Sequence, residues 1–376
     1  MKYMGSKRWM LRNGLGDLLA KEVKVSQRFV DLFTGSGAVA CHVAERFSLP
    51  VLAFDLQAYS AVLAGAIIGR KIKINWESIW KRWWHRANQH FKRYPQIPNA
   101  KILTRAIVTD FRAWAVEQNE LPTTKAYGGH YFSPTQAVWI DALRATLPEC
   151  EPERTVSLAA LIQAASQCVA APGHTAQPFQ PTPTAKKFLR EAWERDIVER
   201  AASAFSVLAE RHAKRSGEAT VADANEAAKR LRASDLVFID PPYSGVHYSR
   251  FYHVLETIAR GDCGEVTGVG RYPATEFRPR SRYSLKSESA KALDELLETV
   301  ASRGSKVILT FPAHNCSNGL SGDSVREIAA KHFHVKERQV ESKFSTLGGT
   351  GNDRANESGR AARQHTKELI LVLKPK

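Results

Sequence analysis

Apolar residues fall into two patterns along this chain. Before residue 70 and after residue 217 they form short continuous runs: Phe29 to Phe33, Pro50 to Phe54, Ala219 to Ala222, Asp235 to Ile239, Lys306 to Phe311 and Glu368 to Leu373, with the more polar Val335 to Ser342 expected as a further strand. Runs of this length, rich in Val, Ile, Leu and Phe and closed by turn residues, predict strands buried on both faces. Helical spacing lies between them: a stretch through Leu19, Ala38 onward through Cys41, Val43 and Ala44, Ala61 to Gly69, Glu226 to Ala233, Tyr248 to Ile258, Ser289 to Arg303 and Ser324 to Lys331. This alternation predicts an α/β fold with a mostly parallel, twisted sheet and helices on both faces.

Residues 70–215 are patterned differently. Helical spacing dominates at 70–93, Thr135–Leu147, Ser157–Val169 and Lys186–Ser216, the last expected as one long amphipathic helix. Pro95 to Pro98 breaks the first of these. A glycine turn at Tyr127–Pro134 leads into the second, and Ala170–Thr184 is a Pro/Gly-rich loop in which His174 and Gln177 could reach base edges or serve as plain loop residues. The expected organisation is a domain built from residues 1–69 and 216–376, interrupted by a mainly helical insertion at 70–215. Gly261 to Lys286 is expected as a basic loop, and 345–365 as a mobile Gly/Asn/Arg-rich segment.

Candidate chemistry sits where the strands end. Asp240-Pro241-Pro242-Tyr243 follows the run 235–239. Two prolines cannot continue a sheet ladder, so the chain must leave the sheet there. The stiff turn presents a carboxylate, a prolyl carbonyl and an aromatic ring. Two acceptors can hold both hydrogens of a planar amino group, and the ring offers a face on which a flat heterocycle stacks. Upstream, Thr34-Gly35-Ser36-Gly37 is a tight glycine turn between a strand and a small-residue helix, and Asp55 closes the second strand. A carboxylate there suits ribose hydroxyls. The third glycine of the dinucleotide fingerprint is missing, which counts against a nicotinamide oxidoreductase.

Composition then narrows the partner. The net charge is +16 with a pI near 9.7, a balance that favours nucleic acid. Arg70, Lys71, Lys73, Lys81, Arg82, Arg86, Lys92 and Arg93 cluster against Glu77 alone. Trp76, Trp80, Trp83 and Trp84 among them read as a core stripe, and the basic heads as a face that is solvated or contacts phosphates. The five cysteines lack zinc spacing and read as reduced thiols. No apolar run approaches the roughly 20 residues of a membrane span, and the start lacks the apolar core of a signal peptide.

These motifs in this order resemble the Dam-like class of DNA adenine-specific methyltransferases. The resemblance rests on Lys2-Tyr-Met-Gly-Ser-Lys7, Asp31-Leu-Phe-Thr-Gly-Ser-Gly37, Asp55 and Asp240-Pro-Pro-Tyr243. It implies a Rossmann-like methyltransferase fold with an inserted target-recognition region, S-adenosylmethionine as cofactor, no metal, double-stranded DNA as partner and a cytoplasmic, nucleoid-associated enzyme. It also allows a cognate endonuclease. By the same resemblance Tyr3, Gly5 and Lys7 lie near the cofactor, with Lys7 at its carboxylate. Asp31, Phe33 and the Gly35–Gly37 amides face its methionine portion, Asp55 and Leu56 its ribose, and Asp223 its adenine, and Asp240 also borders the cofactor. Asp240 and Pro241 accept the target amino group, Pro242 stiffens the turn, and Tyr243 stacks on a flipped adenine, with Phe251 and Tyr252 on the other side of the base. An RNA adenine methyltransferase and a nucleic-acid-binding protein with an inactive core are the alternatives.

Overall fold

The computed structural model describes residues 7–345 and 363–376, which form two compact units. The first, the sheet unit, takes 7–71, 213–248, 280–345 and 363–376; the second, the helical unit, takes 72–212 and 249–279. Among the described residues no helix is long and apolar enough to cross a membrane.

The sheet unit carries a seven-stranded sheet. Its strands are β1 (Arg28–Asp31), β2 (Val51–Asp55), β3 (Glu218–Val221), β4 (Asp235–Ile239), β7 (Lys306–Pro312), β8 (Phe333–Ser345) and β9 (Arg363–Pro375), in the order β3-β2-β1-β4-β7-β9-β8. β3, β2, β1, β4 and β7 run parallel, and β9 runs antiparallel to both β7 and β8. β4 is buried at every position, as its unbroken apolar run requires. The helix Ser289–Ser302 covers one face, with Leu293, Leu296, Leu297 and Val300 packed against Val237, Ile239, Val307 and Leu309. The last two strands extend the ladder beyond the sequence expectation at both ends, and residues 346–362 of the segment expected to be mobile lie outside the described residues.

The helical unit corrects the sequence reading in three places. The segment Lys186–Ser216 is not one helix. It breaks into Lys186–Trp193 and Ile197–Glu210, because the Asp196 carboxylate accepts from the amides of Val198 and Glu199 and starts a new helix. The expected loop 261–286 contains a two-stranded hairpin, β5 (Val266–Thr267) and β6 (Tyr272–Pro273). Most important, residues 249–279 belong to the helical unit although they follow Tyr243. The Arg144 guanidinium donates to the carbonyls of Ile258 (2.7 Å) and Ala259 (3.2 Å). The Tyr127 and Thr257 hydroxyls are 2.8 Å apart, and the Tyr131 hydroxyl donates to Gly270 O at 2.9 Å. Phe251 and Tyr252 are buried in this unit. The Phe251 carbonyl accepts from Thr175 and its ring meets His174 edge-on.

Candidate active site

Four neighbouring parallel strands deliver four carboxylates to one edge of the sheet. β1 ends on Asp31 and β2 on Asp55, while Asp223 stands two residues past β3 and Asp240 one past β4. Register aligns these ends: Asp31 lies opposite Ala53 and Phe238, and Asp55 opposite Val221. The chain fills one side of β1 with β2 and β3, then crosses to β4 and β7 on the other. The crevice at such a switch point is where open α/β sheets bind ligands.

The glycine loop is held from below. Gly35 N–H donates to Asp55 Oδ2 at 2.8 Å and Gln57 N–H to Asp55 Oδ1 at 2.9 Å, so Asp55 ties the loop after β1 to the end of β2. Gly35 and Gly37 have φ of 52° and 73°, a region that disfavours side chains. A Cβ on Gly37 would meet Ala64 and Cys41 Sγ only in ordinary van der Waals contact, so its positive φ is what favours glycine there. Asp31 is almost fully buried. Burial in apolar surroundings pushes its carboxyl up to about 8, against the hydrogen bond from Phe33 N–H and with the Asp240 charge adding to the shift. Close by in sequence, the buried Gln57 Oε1 has no hydrogen-bond partner among the described residues. A carboxyl with no cation beside it among the described residues and an orphaned amide oxygen fit a ligand that brings a positive charge and polar hydrogens.

The turn after β4 is more elaborate than its four residues suggest. Lys7 Nζ lies 2.9 Å from Asp240 Oδ1 and 2.9 Å from Glu368 Oε2, and the Thr310 hydroxyl donates to Asp240 Oδ1 at 2.8 Å. Burial works against the Lys7 ammonium, but the Asp240 and Glu368 carboxylates outweigh it and hold its pKa above the ordinary lysine value. Burial raises the Asp240 pKa, and Lys7 opposes that rise. The backbone of the turn is clamped as well. The fully buried Asn318 donates from Nδ2 to the carbonyls of Pro242 and Tyr283, both at 2.9 Å, and Gly245 N–H donates to Ser317 Oγ at 2.9 Å. Pro242 O therefore already accepts one hydrogen bond, from Asn318. Tyr243 is half-buried, with its ring edge-on to Tyr248 at 6.5 Å.

The remaining expected residues take varied positions. Asp223 caps the short helix Ala224–Ala228, accepting from Asn225 N–H (2.9 Å) and Glu226 N–H (3.3 Å) through Oδ1. Phe33 packs edge-on against Tyr283 at 4.9 Å, and Leu56 is partly exposed beside Asp55. Tyr3 and Gly5 lie outside the described residues. Glu368, Thr310, Asn318 and Ser317 were missed by sequence reasoning. Thr310 and Glu368 reach the Asp240–Lys7 pair only through long-range pairing in the sheet, and Asn318 and Ser317 hold the turn from the loop after β7, so no local spacing announces them. Among the described residues no group of three or more His, Cys, Asp or Glu is arranged to hold a metal ion.

Comparison with known proteins agrees with this geometry. Modification methylase LlaI of Lactococcus lactis subsp. lactis is 26% identical over 80% of this chain, which spans 44% of that protein. Type II methyltransferase M.NlaIII of Neisseria lactamica is 27% identical over 87% of both chains. Modification methylase StsI of Streptococcus sanguinis is 23% identical over 83% of this chain, which again spans 44% of the relative. Residues 3–96 and 197–334 match the family described as D12 class N6 adenine-specific DNA methyltransferase. The match takes in the glycine loop, Asp55, Asp223 and the Asp240 turn and passes over most of the helical unit. This chain belongs to the D12 class of N6 adenine-specific DNA methyltransferases.

Proposed function

We propose that this chain transfers a methyl group from S-adenosylmethionine to the 6-amino group of adenine in duplex DNA, with the target base flipped out of the helix to reach Asp240–Tyr243. The observation that carries the proposal is Asp240 itself. It is a buried carboxylate at the end of β4, held by Lys7 and Thr310, with Pro241 O beside it in a clamped turn. Two fixed acceptors side by side suit the two hydrogens of an amino group, and Tyr243 supplies the stacking face. Extruding the base costs a few kcal/mol of stacking and pairing. When bound, the cofactor supplies a methyl group already activated on a sulfonium. The chain's own contribution is positioning and electrostatics: Asp240 and Pro241 O accept the amino hydrogens and draw the nitrogen toward sp3, so that its lone pair is free to react. Asp31, the Gly35–Gly37 loop, Asp55, Leu56 and Asp223 would hold the cofactor.

The test is a tritiated-methyl assay on duplex DNA, single-stranded RNA and protein, with the labelled nucleoside identified after digestion. Label is expected in N6-methyladenine from duplex DNA. Label in RNA adenine alone would replace the DNA substrate with an RNA one, and no transfer to any substrate would leave a binding protein with an inactive core. Two of the relatives are named modification methylases. On that basis we extend the reading to a site-specific enzyme working beside a cognate endonuclease.

Asp31 gives a separate readout for the cofactor. Its carboxyl titrates near 8 in the free protein, so it is largely protonated at pH 7. A cationic ligand favours the ionised form and must displace that proton. Calorimetry at pH 7 in buffers of different ionisation heat is expected to show net proton release on cofactor binding. Asp31→Asn should lose that release and bind more weakly. Equal release by wild type and variant would remove Asp31 from the cofactor site.

A further inference from the structure

The charge of the helical unit is concentrated in one place. Residues 73–93 hold six Lys and Arg against one acidic residue, Glu77, while the rest of the unit's described residues carry sixteen of each sign. The unit's whole excess therefore lies on the helix Trp76–Phe91 and its flanks.

That helix is rigidly seated. Ile79, Trp83 and Ala87 are buried, Trp83 Nε1 donates to Leu143 O at 2.9 Å, and Phe91 stacks on Trp139 at 4.1 Å. At about 100° per residue, Lys81, His85 and Gln89 fall on the side away from this buried stripe, Arg82 flanks them and Arg86 lies at the stripe's edge, and all five are exposed. Lys92 and Arg93 prolong the same face past the helix end. No ion pair involves Lys81, Arg82, Lys92 or Arg93 among the described residues, whereas on the helix Lys186–Trp193 two of the three cations are matched, Lys187 with Glu191 and Arg190 with Glu194. A merely solvated face takes mixed signs, as that second helix does. A one-sign face on a fixed support is built for a polyanion with regularly spaced charges.

We infer that the outer face of Trp76–Phe91, extended by Lys92 and Arg93, is a docking surface for the phosphate backbone of the DNA. The inference rests on the DNA-methyltransferase reading and adds where the duplex is gripped. It is tested with the full chain carrying Lys81→Gln, Arg82→Gln and Arg93→Gln together. Arg86 is left in place because its guanidinium donates to Thr146 O. The control is Lys187→Gln with Arg190→Gln. Duplex binding is followed by fluorescence anisotropy over a range of salt concentrations. Each phosphate deprived of its cation should reduce the log–log salt slope by about 0.9, roughly 2.7 for the three. The KM for DNA should rise, while kcat at saturating DNA and an unchanged melting temperature show that the site and fold are intact. A slope change no larger than the control's would overturn the inference, as would a change confined to RNA or to an acidic protein partner. A reduced slope in a chain that transfers no methyl group would leave this surface standing and refute the reaction instead.

Discussion

Replacing Asp240 with alanine is expected to lower the single-turnover rate of methyl transfer to duplex DNA by at least about a hundred- to a thousandfold, the usual loss when one preorganised hydrogen-bonding group is removed from a reacting centre. Cofactor affinity, measured by calorimetry, should stay within a few-fold of wild type, because Asp31, Asp55 and the glycine loop are untouched. The variant should also fold. Lys7 keeps Glu368 as its partner at 2.9 Å, so no buried charge is left alone. The carbonyl of Pro241 remains, which is why residual transfer is expected rather than none. A variant that methylates adenine at near wild-type rate would show that the amino group is held elsewhere, and the assignment of the turn after β4 would fall with it.

How much of this was legible in the sequence depends on how local each cause is. The ends of β1, β2 and β4 were readable because a buried strand must stop where a carboxylate, a glycine pair or a double proline interrupts the apolar run. Gly35 and Gly37 were readable for the same reason, since a positive φ leaves few alternatives to glycine. The partners of Asp240 were not. Glu368 comes into place because β9 runs antiparallel to β7 and pairs Glu368 with Pro312, two residues after Thr310. In the sequence it is one acidic residue before an apolar strand. Asn318 lies in the loop after β7, and nothing in Asn315-Cys-Ser-Asn-Gly319 distinguishes a buried clamp from an ordinary turn. Lys7 was expected at a cofactor carboxylate, and the structure pairs it with two protein carboxylates. The extent of the helical unit was half legible. Composition marked 70–215, close to the 72–212 of the structure, but residues 249–279 carry equal numbers of cations and anions and a helical pattern like any other. Their place is decided by Arg144, Tyr127 and Tyr131, far back along the chain.

The network around Asp240 makes a pair of predictions with opposite signs. Asp240 is faced by Lys7 from the N-terminal segment, Thr310 from β7, Glu368 from β9 and Tyr243 from its own turn, with the Asp31 charge close enough to be felt from β1. In the proposed mechanism its active form is the carboxylate. Burial pushes its pKa up, Lys7 pulls it down and Glu368 pushes it up. In Lys7→Met the pull is lost. The acid limb of the single-turnover rate should then move to higher pH, by about one to three units for loss of an adjacent opposite charge. That variant also leaves two carboxylates buried without a cation, which costs about 3–5 kcal/mol for one partner of a buried pair, so its melting temperature should fall. In Glu368→Gln one push is lost instead, and the acid limb should move to lower pH by a smaller amount while the amide still accepts from Lys7. Damage to packing alone would lower the plateau of both profiles without moving either limb in a set direction. If both limbs stay where the wild type has them, Lys7 and Glu368 do not set the charge on Asp240. If both move the same way, the roles assigned here to the two flanking charges are wrong.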